Sequence, residues 1–329
     1  QSVFTGLKAA KTTREFYQIN NRLTQEQVIE KVANSYYQVY LQRLNLQVLD
    51  STLVNTIKAK NIIEGQYQNG LAKKIDLDRI IVKISNFEIQ QLQIINALQL
   101  QENTLKFFMG MPITAQIEIP EIEFEFRPSE AASSMDTENR TEYLLLKKQE
   151  QLLTYQKMAV KAEFYPTLSL TGGYNYLGQG PDLPWFKKPE DNVYWSDFSS
   201  IGLNLKIPIF AGFGTRSKVR QADIDLQILQ EDIKDTELAL DLDYENARTQ
   251  INNSIATIDN QTENVRLAQA VLDNTRNNFV QGLAPLTDLL DAENALTEAR
   301  NNFNTAILQY KLAEILLLKA KGELMKLTN

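Results

Sequence analysis

Asp288 and Asp291 are the side chains whose type and spacing most directly suggest chemistry. They stand three residues apart in a segment of helical periodicity, so both carboxylates would share one helix face. Paired carboxylates can hold metal ions in helical bundles, but the known di-metal bundles combine Glu with His, and this sequence contains no His. On sequence alone a simpler interpretation is the commoner case: acidic residues occur at the start of a helix, where they interact favourably with its dipole.

The amino-acid composition excludes most other catalytic chemistry. Without Cys there is no disulfide, thiol nucleophile or thiolate-bound metal. Without His the commonest general base and transition-metal ligand is missing. The net charge of −7, from 41 acidic and 34 basic residues, argues against a nucleic-acid partner. We therefore expect no enzyme activity, no cofactor, no metal site and no nucleic acid.

The distribution of Gly and Pro predicts unusually long helices. Eight of the nine prolines lie between Pro112 and Pro208. The chain has neither residue for 67 positions between Gly214 and Gly282. A continuous helix over that stretch would be roughly 100 Å long at about 1.5 Å per residue. Such a length is typical of coiled coils. The sequence contains no run of about 18 apolar residues, so it predicts no membrane-spanning helix.

A heptad repeat follows Pro285 and indicates how these helices pack. Large residues recur every seven positions, with Ala at a second position of the same period, which matches an a/d seam that lets two backbones approach closely. An ordinary amphipathic helix is the alternative, and eleven consecutive matches favour the coiled coil. The seam consists of Leu289, Leu296, Phe303, Tyr310, Leu317 and Leu324, alternating with Ala292, Ala299, Ala306, Ala313 and Ala320.

Two segments of the chain resemble each other at an offset of 212 residues. Gly70-Leu71-Ala72 is followed by Asp76, and Gly282-Leu283-Ala284 is followed by Asp288. The same offset carries the heptad seam onto largely apolar positions between Leu77 and Phe108. We expect two antiparallel helical hairpins, each with a Gly-assisted turn. Turn chemistry alone could account for each Gly, but it does not require the Leu that follows.

Between the hairpins the hydrophobic period changes from helical to two. Two runs of about ten residues, Leu168 to Tyr176 and Ile201 to Ile209, have one apolar face and one polar or small face. Length and pattern fit tilted transmembrane strands with lipid on one side and water on the other. The residues expected to face lipid are Leu168, Leu170, Tyr174, Tyr176, Ile201, Leu203, Leu205, Ile207 and Ile209.

A hairpin packed on a soluble core would show the same alternation. Two observations favour the membrane: an isolated ten-residue hairpin is not stable, and the long helices offer no obvious sheet partner. The expected loop from Gly178 to Ser199 holds aromatics suited to a membrane interface. A shorter run from Gln116 to Phe126 alternates imperfectly around Pro120, and we interpret it as an extended segment beside the helices.

This layout resembles the TolC-like outer-membrane efflux proteins. The resemblance rests on Phe164-Tyr165-Pro166-Thr167-Leu168 entering the first strand and Ile207-Pro208-Ile209-Phe210-Ala211-Gly212 leaving the second, together with the Gly-led turns. It implies a mainly α fold with a β-barrel part. Each two-repeat protomer of a trimeric tube would contribute antiparallel coiled-coil hairpins to an α-barrel and a transmembrane β-hairpin to a barrel in the outer membrane.

On this basis we divide the chain into five segments. They are a first helical hairpin at 1–111, an extended equatorial connector at 112–128, a helix leading to the barrel at 129–165, a transmembrane β-hairpin at 166–211, and a second helical hairpin at 212–329. The repeat offset places the first-repeat counterparts of the strands upstream of Gln1, so the sequence is expected to lack part of the first repeat.

The resemblance also implies partners and site residues. The protein would be a homotrimer in outer-membrane lipid, with its helices in the periplasm of a Gram-negative bacterium. A periplasmic adaptor would dock on Gly70, Leu71, Ala72, Gly282, Leu283 and Ala284. Asp288, Asp291 and Asp76 would form the pore constriction, and six carboxylates from the second repeat would attract cations. In the family, Asp76 would have polar partners at the positions that Ala284 and Phe279 occupy here. Packing of Phe279 would replace those polar contacts in a closed resting state.

The expected function is a passive exit duct for efflux or type I secretion, coupled through the adaptor to an inner-membrane pump. The alternative is a soluble coiled-coil scaffold or docking protein. A scaffold would account for the heptads but not for the two apolar-faced strands. Solubility without detergent would separate these hypotheses.

Overall fold

The computed structural model describes residues 2–120, 136–181, 185–186, 190 and 192–328, and among them five long helices and two strands. The helices are α1 (Ser2–Gln68), α2 (Lys74–Phe108), α3 (Thr141–Ala162), α4 (Gly214–Val280) and α5 (Leu286–Ala320). The strands are β1 (Thr167–Gln179) and β2 (Tyr194–Lys206). Short 3-10 helices cover Thr137–Asn139 and Leu324–Thr328. The expectation of a mainly helical chain is confirmed.

The internal repeat extends to the ends of the helices. α2 and α5 each contain 35 residues, and each begins and ends at positions related by the predicted offset. Gly110, just beyond α2, and Gly322, just beyond α5, both have positive φ, 70° and 71°. Each helix therefore stops at a glycine that adopts a backbone conformation in which a Cβ is unfavourable.

The chain forms two compact units, one of Gln18–Leu144 with Lys234–Asn329 and one of Gln1–Tyr17 with Leu145–Ile233. In the first unit the predicted seam of α5 is buried against α4. Ala306, Tyr310 and Ala313 pack with Tyr244 and Ile251 in one apolar cluster. Of the eleven seam positions, ten are buried, and Phe303 packs against this cluster from a half-buried position. Leu324 lies in the 3-10 helix beyond α5, because α5 ends at Ala320.

The corresponding seam of α2 is less apolar. Gln91 donates a hydrogen bond to Asp50 on α1 at 2.6 Å, and Gln101 donates to Gln38 at 2.7 Å. Arg43 on α1 pairs with Glu102 at 2.7 Å. Between α1 and α2, polar side-chain contacts of Gln91 and Gln101 thus occupy seam positions that are apolar in the equivalent contact between α4 and α5.

The second unit holds the β-hairpin together with parts of α1, α3 and α4. Ion pairs link its helices: Lys148 to Glu15 at 2.8 Å, Lys218 to Glu163 at 3.0 Å, and Lys157 to Asp223. The Lys148 ammonium holds the pKa of Glu15 below its ordinary value, through a hydrogen bond and charge attraction.

Strands β1 and β2 pair antiparallel in a two-stranded sheet, with Leu168 opposite Leu205 and Leu170 opposite Leu203. Almost every residue of both strands is exposed. Within the described part of the chain, no third strand joins either edge.

The predicted strand limits need correction. β2 ends at Lys206, so Ile207 and Ile209 lie beyond the strand instead of within it. Pro208 accounts for the early end, because it has no N–H to donate to the ladder. The expected loop from Gly178 to Ser199 includes Tyr194, Trp195 and Phe198, and all three belong to β2. The strands are therefore 13 residues long, and the loop is correspondingly shorter.

Residues 112–120 of the predicted extended connector are described, and the remainder of the connector is not. Residues 116–120 belong to neither a helix nor a strand. Arg43 of α1 donates a hydrogen bond to the carbonyl of Ile119 at 3.4 Å. Residues 121–128 of the connector, with Ile122, Phe124 and Phe126, lie outside the described residues, as do residues 129–135 of the following segment.

Candidate functional site

The two Gly turns have the same backbone structure. Gly70 and Gly282 both have φ of 75°. In each turn the Gly N–H bonds the carbonyl three residues back at 3.0 Å, and the next N–H reaches five residues back at 2.8 Å. This pair of bonds is the Schellman arrangement that ends a helix and satisfies its last carbonyl groups. The Gly residues are thus required by the turn itself.

The leucines that follow these glycines are not required by the turn. Leu71 is 81% exposed and Leu283 is 73% exposed. In a Schellman arrangement this position commonly packs back on the helix, and here neither leucine does so. Ala72 and Ala284 are half-buried, and Ala284 packs against the cluster described next. The structure therefore presents an exposed leucine at equivalent places in both turns.

One apolar cluster joins the ends of both helical hairpins. It contains Ala59 and Ile63 from α1, Ile80 from α2, and a larger set from α4 and α5. Phe279 is one of its members and is 5% exposed. The cluster brings the two turns together in space, and the predicted burial of Phe279 is confirmed. The α4 and α5 members are Leu272, Phe279, Leu286, Leu289, Leu290, Ala292 and Leu296.

The three predicted pore acids lie on the helices leaving these turns. Asp76 and Asp288 occupy the first turns of α2 and α5. Asp288 and Asp291 are exposed, whereas Asp76 is half-buried and pairs with Arg79 at 3.8 Å. Arg79 occupies the first-repeat position equivalent to Asp291. The first repeat thus presents an acid beside a base where the second presents two acids.

The β-hairpin carries the predicted apolar face. Leu168, Leu170, Leu203 and Leu205 are all at least 58% exposed, and Ile201 is 86% exposed. Towards the loop this face changes character. Tyr176 stacks on Trp195 at 5.0 Å between ring centroids, and the Tyr174 hydroxyl lies 3.2 Å from the Asp197 carboxylate. The face therefore consists of an aliphatic band followed by an aromatic and polar border.

Two further observations concern sites that were not expected. Throughout the part of the chain with assigned positions, His, Cys, Asp and Glu side chains form no group of three or more that could hold a metal ion. None of the helices, as far as they are described, combines the length and apolarity needed to cross a membrane.

The sequence patterns give no indication of which charged residues are buried, and Arg140 and Glu293 are the most buried of those described. Arg140 is 2% exposed, and it donates hydrogen bonds to the Ala320 carbonyl at 2.8 Å and to both oxygens of Glu142. Glu293, one position from the Ala seam of α5, is 4% exposed. Its first-repeat equivalent, Ile81, is 45% exposed. The repeat therefore gave no signal for a buried acid at position 293.

Comparison with known proteins agrees with this arrangement. The family model described as "Outer membrane efflux protein" matches residues 138–323. The chain belongs to that family, whose members are channels of the outer membrane of Gram-negative bacteria and not enzymes.

Individual relatives are distant. The chain is 24% identical over 313 residues to the outer membrane protein TolC of Vibrio cholerae, spanning 92% of this chain and 69% of that protein. It is 22% identical over 302 residues to the alkaline protease secretion protein AprF of Pseudomonas aeruginosa, spanning 89% and 60%. The chain thus covers between three-fifths and about two-thirds of the length of these relatives.

Solved structures share the fold. The outer membrane protein VceC of Vibrio cholerae has a TM-score of 0.79 at 20% identity, covering 98% of this chain and 76% of VceC. The MtrE outer membrane channel of Neisseria gonorrhoeae, in its open state, has a TM-score of 0.76 at 16% identity, covering 97% and 71%.

Proposed function

We propose that this chain is the larger part of one protomer of a trimeric exit duct for efflux or type I secretion. In this proposal the β-hairpin joins hairpins from other repeats in a closed outer-membrane barrel. The five segments of the chain keep the roles expected from the sequence, and the helical hairpins pack as coiled coils in a periplasmic tube. An adaptor protein couples the tube to an inner-membrane pump.

The observation that carries the proposal is the unpartnered β-hairpin. Its apolar face is exposed along both strands, and its outer edges have no neighbouring strand among the described residues. In a lipid bilayer every backbone N–H and C=O must be paired within the protein, so spanning strands occur in closed barrels. Further hairpins of the same kind would supply the missing pairs, and lipid would cover the apolar face.

The exposed leucines support an adaptor-docking role for the turns. Leu71 and Leu283 leave large apolar surfaces in water at the ends of two hairpins that share one apolar cluster. In a trimer the pair would recur three times around a ring. We assign the docking surface to Gly70, Leu71, Ala72, Gly282, Leu283 and Ala284.

The acids on α2 and α5 support a cation-attracting constriction. Asp288 and Asp291 are exposed and would contribute six carboxylates per trimer. Asp76 would contribute less to the pore potential, because Arg79 accompanies it. Cation preference is therefore assigned mainly to the second repeat.

The oligomeric state of the full-length protein, purified with and without detergent, tests the proposal. We expect a trimer that requires detergent. Its β-strand content and its trimeric state should be lost at the same urea concentration. A monomer that stays soluble without detergent while keeping its strands would contradict the duct and support the scaffold alternative. The gene neighbourhood and a pull-down from inner-membrane extracts would identify the pump and the exported substrate class.

A further inference from the structure

The carboxyl group of Glu293 on α5 is buried between the two helical hairpins. Its side chain is 4% exposed. Oε2 lies 3.1 Å from the hydroxyl oxygen of Thr56 on α1, a residue with no exposed surface. Next to this contact, the hydroxyls of Thr52 on α1 and Thr297 on α5 lie 2.9 Å apart. A carboxyl group buried to this degree must be well paired or must carry a proton.

The hydrogen bonds around Thr56 bear on which of these holds. Its Oγ1 lies 2.8 Å from the Thr52 carbonyl oxygen and 3.1 Å from Glu293 Oε2. A hydroxyl has one proton to donate, and a carbonyl oxygen can only accept. If Thr56 donates to the closer carbonyl, the second contact is a hydrogen bond only when Glu293 itself carries a proton. The Glu293 O–H then donates to Thr56 Oγ1, which has lone pairs to accept it.

Two cations face the same carboxyl group and favour its ionised form. Arg276 from α4 places Nη2 3.7 Å from Oε1, and Lys83 from α2 acts at longer range. The Arg276 distance exceeds that of a hydrogen bond, and its side chain is 40% exposed, so water screens its charge. On α1, a hydrogen bond donated by the Thr56 hydroxyl to Oε2 would also favour the ionised form. Burial dominates and raises the pKa of Glu293 above the ordinary value of 4.5.

We propose that Glu293 is a proton-binding site that links the packing of α1 against α5 to pH. When the two helices separate, the carboxyl group enters water and regains its ordinary acidity. The packed state therefore binds the proton more tightly than the separated state. The contact is fully favourable below the ordinary pKa and weakens as the pH rises through the raised pKa. The site is formed within one chain, so it does not depend on the proposed duct.

Protonation is tested directly by infrared difference spectroscopy of the full-length protein in detergent. The spectrum of wild type minus Glu293→Gln is titrated from acidic to neutral pH. We expect a protonated-carboxyl C=O band that Glu293→Gln lacks and that disappears at a higher pH than the bands of exposed carboxyls. Glu298→Gln, an exposed acid on the same helix, is the matched control and should keep the band.

The link to packing is tested by distance. This sequence has no Cys, so Ser51→Cys on α1 and Ala295→Cys on α5 place one spin label on each helix at exposed positions. The label separation should lengthen or broaden as the pH passes the midpoint of the carboxyl band. It should stay unchanged with pH in Glu293→Gln.

Two results would overturn the proposal. One is a carboxyl band that Glu293→Gln leaves intact, which would mean that Glu293 is ionised in the packed state. The other is a label separation that stays constant while the band titrates, which would mean that protonation does not affect the helix contact. Both measurements are independent of pore conductance, so a failure here is distinct from a failure of the proposed duct.

Discussion

The indole ring of Trp195 lies directly over Gly178 on the neighbouring strand. A Cβ built on Gly178 would be 2.9 Å from ring carbons of Trp195, which is closer than real Cβ contacts. The two residues are paired in the β-sheet register, and the same indole stacks on Tyr176. An absent side chain thus allows a large aromatic ring to lie flat on the sheet at the border of the aliphatic band.

Gly178→Ala is therefore expected to displace Trp195 and break its stacking with Tyr176. Overpacking of this kind costs about 1–3 kcal/mol of unfolding free energy. Urea unfolding of the full-length protein in lipid vesicles, followed by tryptophan fluorescence, measures the change. Gly172→Ala is the control on the same strand face, because a Cβ there meets nothing within 4 Å. Equal losses in both variants would show that strand glycines matter for flexibility and not for the Trp195 contact.

The lipid-facing assignment is tested with charged substitutions on opposite faces of one hairpin. Leu170→Arg or Leu205→Arg should each destabilise the inserted protein by roughly 2–4 kcal/mol if these positions lie near the middle of the bilayer. Asn204→Arg, next to Leu205 but on the other face, should cost much less. The measurement is the yield of heat-resistant trimers in outer-membrane fractions. The same yield from the Leu and Asn variants would show that the apolar face does not meet lipid.

The docking role of the turns is tested with Leu71→Glu combined with Leu283→Glu. Both leucines are exposed, so the substitutions should leave folding and trimer formation intact. Placing charge on an apolar docking surface should abolish export and adaptor co-purification. Gln281→Glu introduces charge beside Gly282 without removing a leucine, and it should export normally. Normal export from the double variant would exclude the leucines from adaptor binding.

The constriction is tested with Asp288→Asn combined with Asp291→Asn. Removing both carboxylates should sharply reduce cation preference, measured as the reversal potential of single trimers in a salt gradient. Asp241→Asn, an exposed acid on α4, should leave the reversal potential unchanged. Arg79→Gln should increase cation preference, because it frees Asp76 from its ion pair. If neither the double Asp variant nor Arg79→Gln changes the reversal potential, Asp288, Asp291 and Arg79 lie away from the pore.

The sequence was most informative where packing follows a simple period. The offset between Gly70 and Gly282 predicted the helix ends, because the same turn chemistry ends both helices. The heptads predicted which residues of the seam are buried, because side chains on that helix face pack against the neighbouring helix.

Features set by contacts between distant segments were not predictable in this way. Glu293 is buried although its repeat equivalent Ile81 is exposed, since burial there depends on α1 and not on the local pattern. The strand limits were also missed. Alternation continues through Ile207 and Ile209, but a ladder needs N–H donors, and Pro208 interrupts them.

Because α2 and α5 have equal lengths, an insertion in one repeat affects its contact with the other. Both turns meet in one apolar cluster, and a helix of 35 residues follows each turn. Inserting one heptad into α5 and α4 alone would keep their seam but move that turn by about 10 Å, away from Ala59, Ile63 and Ile80. An insertion that keeps this cluster intact must therefore lengthen both hairpins together, which couples the lengths of the two repeats.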